Sequence, residues 1–430
     1  MKPGARIAAA IEVLDAVLNR YQPVALALAD WGKAHRFAGS GDRNAIGHIA
    51  YDALRRKASI GWAMQSDAPR ALALGASAQA LGLAPDAVTA ACDGAEHGPS
   101  SLTETEVSGL TRALDAADDH IRADVPEWIW PSFARAFGTR AIAEGEALAK
   151  RAPADLRVNT LKSTQEKVLK ALAGFGAEAT AHVATGVRIP PPVGAARTPN
   201  LQAEAAYQAG WFEIQDEGSQ IAAALTGAGP RMQVLDLCAG AGGKTLALVA
   251  AMQNTGQVYA YDADRHQLKP IFDRLKRAGA RSVQVLKAGD VVALNALGPR
   301  FDCVLADAPC TGSGTWRRRP DAKWRVKPEA LVERCQEQRA VLAQAAKSVR
   351  PGGRLVYVTC SVLPEENSDQ IATFLAANEE FRALPIADTW RTALKSEPPQ
   401  SADGRANHLL LTPSQHGTDG FFIAVLERAA

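Results

Sequence analysis

The sequence of 430 residues contains no run of roughly 18 uncharged apolar residues, the length that a helix needs to cross a membrane. Its beginning, MKPGARIAAAIEVLDAVLNR, meets charges at Arg6, Glu12 and Asp15, which is too early for a signal peptide. These absences argue against a membrane-spanning or secreted protein. We therefore expect a cytoplasmic protein.

Cysteine is scarce, and its spacing excludes two common kinds of site. None of the six cysteines forms a CxxC pair, so neither a zinc ribbon nor a thioredoxin-like site is indicated, and we predict no metal. In a reducing cytosol the default role of such a cysteine is that of a small buried apolar side chain. A cysteine with a chemical role must therefore stand out by its position. The six are Cys92, Cys238, Cys303, Cys310, Cys335 and Cys360.

A strong overall charge is also missing, because the formal net charge is only +2. One local run, RRRPDAKWRVK at 317–327, nevertheless carries six basic side chains against one acid. Such a run suits contacts with an RNA phosphate backbone, although a solvated loop is the plainer alternative. The candidate phosphate contacts are Arg317, Arg318, Lys323 and Arg325.

The length allows two or three domains, each with its own core. Apolar residues recur at helical spacing through residues 1–125, without the alternation of strands, which predicts an all-helical domain. Residues 126–200 combine a short strand at 156–159, a helix at 164–173 and a segment rich in glycine and proline. We interpret them as a small α/β connector module.

Residues 201–430 follow a regular alternation of strands and helices. The strands are predicted at 233–237, 257–261, 283–287, 301–306 and 354–359, and FFIAVL forms a last strand near the end of the chain. This pattern predicts a parallel sheet covered by helices on both faces. Ligands of such sheets bind beyond the carboxyl ends of the strands, so those ends are where a site is expected.

The first of these strand ends carries a glycine-rich turn, VLDLCAGAGGKT. Glycines let the backbone approach a ligand closely, and a nucleoside or nucleotide is the expected guest. The turn is not a phosphate-binding P-loop, because the first glycine of GxxxxGK[ST] would fall at Cys238. The predicted contacts here are Asp236, Cys238, Ala239, Gly240, Ala241, Gly242, Gly243 and Lys244.

Acids follow the next two strands. Asp262 is placed to hold a ribose diol, and Asp290 could accept from an adenine amino group. Acids at successive strand ends suit S-adenosylmethionine, whose sulfonium is positively charged. A turn or cap role is the plainer alternative for Asp262 and Asp290. Asp307, after the fourth strand, completes the predicted cofactor contacts.

Two thiols follow the fourth and fifth strands, Cys310 close behind Asp307 and Cys360 in TCS. If these strands are neighbours, about 4.8 Å apart, the three side chains converge. Carbon 5 of a pyrimidine accepts a methyl group only after a thiolate adds at carbon 6. An acid at the N3 edge of the base makes that addition easier. After methyl transfer, a second polar group near carbon 5 helps to remove the C5 proton. Pro364 predicts a helix start whose dipole would lower the pKa of the attacking thiol. Two buried structural cysteines are the plainer alternative.

DLCAGAGGKT, DAPCTGSGTWRRRPDAKWR, RPGGRLVYVTCSVLPEEN and GTDGFFIAVL together resemble the RsmB/NOP family of RNA cytosine-5 methyltransferases, over about residues 200–430. SGDRNAIGHIAYDALRRK is more weakly similar to the NusB-like helical domain of its bacterial ribosomal RNA members. The resemblance implies a Rossmann-like class I methyltransferase domain with a mostly parallel seven-stranded sheet. It also implies that Cys360 is the nucleophile and that Cys310 assists product release.

This chain departs from the family pattern at two places near the cofactor. Gly240 and Ala241 replace the common Ala-Pro of CAAPGGKT, and Gln267 stands where an arginine is often found. Neither change removes a reacting group. We expect the loop to be more flexible and the cofactor affinity to be altered.

The hypothesis from the sequence is a monomeric methyltransferase that uses S-adenosylmethionine and modifies carbon 5 of a cytosine in small-subunit ribosomal RNA. Asp307 would orient the base, Cys360 would attack and Cys310 would help to resolve the adduct. Two alternatives stay open: a transfer-RNA methyltransferase with the same chemistry, and a non-catalytic RNA-binding protein of ribosome assembly that keeps the fold.

Overall fold

The computed structural model describes residues 1–394 and 396–430 of the chain. The chain divides into two compact units. The first contains Met1–Ala152, Pro191–Pro199 and Thr315–Val326, and the second contains Pro153–Pro190, Asn200–Gly314 and Lys327–Ala430. Both units are therefore built from segments that are distant in sequence.

The first unit is helical. Its core is formed by apolar side chains that recur at helical spacing, among them the fully buried Ile7, Leu14, Ile46 and Ile49. The predicted helical N-terminal region is confirmed, and helices continue past residue 125 to Leu148. In chain order the helices are α1 (Pro3–Leu18), α2 (Val24–Ala34), α3 (Ser40–Arg55), α4 (Lys57–Met64), α5 (Pro69–Leu81), α6 (Pro85–Ala91), α7 (Glu104–Gly109), α8 (Asp119–Arg122), α9 (Trp130–Phe137), α10 (Ala141–Leu148) and, from the distant segment, α18 (Pro320–Arg325).

A small antiparallel sheet begins the second unit. Its order is β2-β3-β1-β4, with β1 (Ala154–Val158), β2 (Glu178–Ala179), β3 (Gly186–Ile189) and β4 (Phe212–Ile214). Helices α11 (Gln165–Ala171) and α12 (Ala205–Gln208) accompany it, and Thr164 caps α11 by accepting the Lys167 N–H. Leu156, Val187 and Phe212 are fully buried in a core of this module.

The large sheet of the second unit has the strand order β10-β12-β9-β8-β5-β6-β7, and β11 adds an eighth strand by pairing with β12. Strands β5 to β9 pair in parallel with one another, whereas β12 pairs antiparallel with β9, β10 and β11. The strands are β5 (Gln233–Asp236), β6 (Gln257–Ala260), β7 (Val283–Val285), β8 (Phe301–Asp307), β9 (Val349–Thr359), β10 (Phe381–Ala383), β11 (Leu409–Leu411) and β12 (Phe421–Arg428). The predicted mostly parallel Rossmann-like sheet is confirmed.

Helices connect these strands. They are α13 (Glu217–Ala224), α14 (Gly243–Ala251), α15 (Arg265–Leu268), α16 (Ile271–Ala278), α17 (Val291–Asn295), α19 (Pro328–Ser348), α20 (Ser368–Ala377), α21 (Ile386–Leu394) and α22 (Pro413–His416). The sheet's core includes Val234, Leu305 and Val356, each with no exposed surface. None of the helices in the described parts of the chain has the length and apolarity to span a membrane.

Candidate active site

A cavity of about 970 Å³ lies at the carboxyl ends of β5, β6, β8 and β9, within the second unit. Its size falls in the range of small-molecule sites. The glycine turn after β5, an acid after β6 and both thiols face the same cavity. The predicted residues that line it are Cys238, Ala239, Gly240, Ala241, Gly243, Lys244, Asp262, Asp307, Cys310 and Cys360.

Asp236, the last residue of β5, lies beneath the cavity rather than in its lining. Its side chain is fully buried and its Oδ2 accepts a hydrogen bond of 2.6 Å from Thr245 Oγ1 at the start of α14. Burial raises the pKa of this carboxyl to about 7. Its Oδ1 has no partner among the described residues. Asp236 therefore joins the strand end to the helix that follows the glycine turn.

The glycine turn has a conformation that requires two of its glycines. Gly240 has φ +49° and Gly242 has φ +84°, and a Cβ on Gly242 would lie 2.5 Å from the side chain of Ile271. The Gly240 N–H donates to Asp262 Oδ2 at 2.8 Å, and Asp262 Oδ1 accepts the Asp264 N–H at 2.8 Å. The turn and the acid predicted to hold a ribose are thus fixed to each other.

Asp290 has a different place from the one predicted. It is the N-cap of α17, where its Oδ1 accepts the Ala293 N–H at 2.9 Å, and it is not among the residues that line the cavity. Val291 and Leu294 of the same helix line the cavity instead. The Asp290 carboxylate therefore caps α17, and its contact with an adenine amino group stays a prediction.

Asp307 ends β8 and forms a charged pair that the sequence reasoning missed. Lys244 Nζ donates to Asp307 Oδ2 at 2.7 Å, and the same ammonium lies 5.3 Å from the ring centroid of Phe421. The Lys244 side chain is 8% exposed, whereas the Asp307 carboxylate is 32% exposed toward the cavity. The buried ammonium of Lys244 therefore fixes the carboxylate of Asp307, and this carboxylate is accessible to a ligand in the cavity.

The two thiols meet beside this pair, as the predicted adjacency of β8 and β9 requires. The Sγ atoms of Cys310 and Cys360 are 3.4 Å apart, and the two strands pair with Asp307 opposite Val358. The hydrogen bond to Cys360, with burial and the nearby charge of Glu366, raises the pKa of Cys310 well above that of a free thiol. Either thiol can be the donor in this contact, so the pair can pass a proton between the two sulfurs.

Glu366 is a residue near the thiols that was not predicted from the sequence. Fully buried, it accepts the Thr311 N–H at 2.7 Å through Oε1, the Thr311 hydroxyl through Oε2 and Gln338 Nε2 at 3.1 Å. Thr311 follows Cys310, so Glu366 ties the two thiol-bearing loops together. The sequence offered one indication of its role, because the two acids of PEEN follow Cys360 by only a few residues.

The helix predicted at Pro364 is shorter than expected. Pro364 begins a single 3₁₀ turn that ends at Glu366, and α20 starts only at Ser368. A three-residue turn aligns too few peptide dipoles to act as a helix N-terminus on Cys360. The Cys310 thiol, rather than a helix dipole, is the partner that the structure provides for the Cys360 sulfur.

The predicted phosphate contacts divide by exposure. Lys323 is 1% exposed inside the first unit, where its Nζ donates at 2.7 Å to the carbonyls of Arg55 and Asp124 and lies 4.9 Å from the Trp324 ring. The prediction is wrong for Lys323, and Arg317 is likewise buried, at 4% exposure. Arg318 is half-buried and Arg325 is exposed. Positive residues in a run look equivalent in sequence, but in the structure the Lys323 ammonium is bound by carbonyls in the interior.

Replacing Lys323 by methionine should lower the stability of the first unit. The substitution leaves two buried carbonyls without a donor, which costs about 3 kcal/mol, and thermal unfolding should start several degrees lower. Arg319→Ala, an exposed change in the same run, is the matched control and should leave the unfolding curve in place. An unchanged melting curve together with weaker RNA binding by Lys323→Met would restore the original assignment.

A glycine turn after the first parallel strand, an acid after the second and this strand order define a Rossmann-like methyltransferase. A family model described as 16S rRNA methyltransferase RsmB/F matches residues 226–427, and one described as an RsmF/B-like ferredoxin-like domain matches residues 125–195. The chain belongs to the RsmB/F methyltransferase family.

Curated relatives agree with this membership. The chain is 32% identical over 312 residues to "Probable ribosomal RNA small subunit methyltransferase B" of Synechocystis sp., covering 71% of this chain and 67% of the relative. It is 33% identical to ribosomal RNA small subunit methyltransferase B of Sodalis glossinidius, over 67% of this chain and 66% of that protein. The matches thus span about two thirds of these relatives.

Solved structures share the architecture. The crystal structure of PH0851 superposes with a TM-score of 0.74 at 26% identity, covering 100% of this chain and 99% of that one. A methyltransferase homolog protein from Pyrococcus horikoshii gives a TM-score of 0.59 at 29% identity, over 74% of this chain and 100% of its own. The fold described above is therefore shared by both solved structures, one of which is a methyltransferase homolog.

Proposed function

We propose that the protein transfers a methyl group from S-adenosylmethionine to carbon 5 of a cytosine in RNA, through a covalent adduct with Cys360. The observation that carries this proposal is the pair of thiols 3.4 Å apart on neighbouring strand ends, beside the Lys244–Asp307 pair and in one cavity with the glycine turn. Methylation of an amino group would require none of these thiols.

The residues present fit the cofactor. Its adenosine half suits the glycine turn, with Asp262 placed to accept from the ribose hydroxyls and Val291 and Leu294 offering an apolar face. A positively charged sulfonium is favoured near the carboxylates of Asp262 and Asp307, which line the same cavity. The chemistry that the cofactor supplies is an electrophilic methyl group on that sulfur.

The target base would meet Asp307 and the thiols. Asp307 accepts from the protonated N3 of cytosine, and Lys244 keeps this carboxylate anchored through Oδ2. Positive charge on the ring makes carbon 6 more electrophilic. Asp307 thereby favours attack without taking part in the new bond.

Cys360 and Cys310 then divide the covalent work. The Cys360 thiolate forms a bond from Sγ to carbon 6, and carbon 5 becomes nucleophilic and takes the methyl group. The electron pair of the C5–H bond then expels the Cys360 sulfur. In that step Cys310 gives its proton to the departing sulfur, 3.4 Å away, and receives the proton from carbon 5. The net products are methylated base, demethylated cofactor and one proton, which leaves Cys360 before the next turnover.

Small-subunit ribosomal RNA is the proposed substrate, because the curated relatives at 32% and 33% identity carry that substrate in their names. A cytosine must leave its stack to reach a cavity at a strand end, at a cost of a few kcal/mol. A loop or bulge, where the base is already less stacked, reduces that cost.

The test is methyl transfer by the native protein from labelled S-adenosylmethionine to naked small-subunit ribosomal RNA, to assembled small subunits and to transfer RNA. We expect label in ribosomal RNA, and bisulfite sequencing should locate one protected cytosine. Label found only in transfer RNA would mean that the proposed substrate is wrong and that the proposed chemistry can stand. No transfer to any of the three would favour a non-catalytic RNA-binding role.

A further inference from the structure

The cofactor turn of this chain contains three glycines, Gly240, Gly242 and Gly243, and no proline. A turn with several glycines and no proline has more conformations to lose when it is ordered. The turn should therefore be loose unless another part of the protein restrains it.

Arg274 of α16 supplies such a restraint. Its Nη1 donates to the carbonyl oxygen of Ala241 at 2.9 Å. Its Nε and Nη2 donate to Glu213 Oε2 at 3.2 and 2.9 Å, and the Glu213 carboxylate is only 3% exposed. The guanidinium is thus aimed at the turn by a buried acid of β4, in the small sheet.

The helix that carries Arg274 is itself held by the small sheet's module. Asn159 Nδ2 donates to the carbonyl of Ala278 at 2.8 Å, and Lys162 Nζ donates to the carbonyl of Arg277 at 2.6 Å, both at the C-terminal end of α16. These bonds satisfy carbonyls that a helix end leaves open. Both the backbone and the guanidinium of Arg274 are therefore held in place. Arg274 can thus restrain the glycine turn, which has fewer restraints of its own.

We propose that Arg274 is a positioning residue for the cofactor, which fixes the glycine turn through its hydrogen bond to the carbonyl oxygen of Ala241. The same restraint would also position Asp262, the proposed ribose contact, because Gly240 in this turn donates to its carboxylate. The small sheet, through Glu213, thereby preorganises the adenosine half of the cofactor site. This inference rests on the proposed use of S-adenosylmethionine.

The test compares Arg274→Met with Arg277→Met. Arg277 is the matched control, because it donates to the same Glu213 at 2.6 Å and, among the described residues, forms no hydrogen bond with the turn. Calorimetry should show Kd for S-adenosylmethionine and for methylthioadenosine about tenfold higher in Arg274→Met, with kcat at saturating cofactor unchanged. Arg277→Met should bind both ligands as the native protein does.

Ala241→Pro provides a rescue. The Ala241 N–H donates no hydrogen bond to the described residues, so a proline removes no bond there. In the Arg274→Met background this second change should return both dissociation constants to near the native value. A folded double variant without any recovery would overturn the proposal. So would a loss that affects S-adenosylmethionine alone, since that outcome means that Arg274 contacts the methionine carboxylate directly.

A measurement without ligand separates this inference from the proposed function. Hydrogen exchange at the amides of Gly240 and Gly242, which donate to Asp262 and to Ala239, should be faster in Arg274→Met and unchanged in Arg277→Met. Equal exchange in both variants would overturn the positioning role. If the native protein binds neither ligand, the proposed function fails, and the exchange result still decides whether Arg274 holds the turn.

Discussion

The Cys310→Ala protein, incubated with S-adenosylmethionine and its target RNA, should accumulate a covalent protein–RNA complex that survives denaturing electrophoresis, and Cys360→Ala should form none. Attack by Cys360 does not require the second thiol, so the adduct still forms when Cys310 is absent. Its breakdown requires removal of the C5 proton as the Cys360 sulfur departs, and Cys310, 3.4 Å from that sulfur, is the group proposed to receive this proton while it gives its own to the sulfur. Methyl transfer should fall by at least about 10⁴-fold in Cys360→Ala, because the nucleophile is lost.

Cys335→Ala is the matched control for both variants. Cys335 lies on α19, its thiol donates to the carbonyl of Glu365, and it does not line the cavity. This variant should turn over normally and show no lasting adduct. An adduct with Cys360→Ala and none with Cys310→Ala would exchange the two roles. Absence of adduct in both, with no methylation by the native protein, would contradict the enzymatic proposal.

The positions of the strands and the meeting of the two thiols were predictable because each depends on a short pattern. Apolar runs such as FDCVLA mark β8, and parallel strands bring their carboxyl ends to one edge, so Asp307, Cys310 and Cys360 had to converge once β8 and β9 were neighbours. The glycine turn was recognisable for the same local reason, since its backbone geometry depends on its own residues.

The parts that sequence did not predict depend on contacts between distant residues. Glu366 meets Thr311 across 55 positions, and Arg274 meets Glu213 across 61. Nothing in the neighbourhood of either residue indicates its partner. Lys323 is an example in which a local pattern gives the wrong prediction. Its place in a basic run predicts an exposed side chain, but its ammonium is buried and donates to the carbonyls of Arg55 and Asp124. Asp290 fits both a ligand contact and a cap, and the structure shows the cap through the Ala293 N–H.

Asp307→Asn should lower formation of the adduct itself by about 10²- to 10³-fold, the usual effect of removing one charged contact that strengthens as the reaction proceeds. The change is best made in the Cys310→Ala background, where the adduct accumulates and can be counted without turnover. An amide retains the shape of the carboxyl group but has no charge to pair with a protonated N3. It also loses the anion that Lys244 Nζ contacts at 2.7 Å.

Asp302→Asn makes the same chemical change at the opposite end of β8 and serves as the control. Asp302 accepts from the Gln233 N–H at 2.7 Å and from Arg350 Nε at 2.9 Å, away from the cavity. Its variant should form adduct at the native rate, whatever small loss of stability follows. If Asp307→Asn also forms adduct at that rate, attack does not depend on an acid at N3, and the role of Asp307 is confined to holding Lys244 beside the cavity. A decrease in methylation without a decrease in adduct would instead place Asp307 after the attack, in the release of the product.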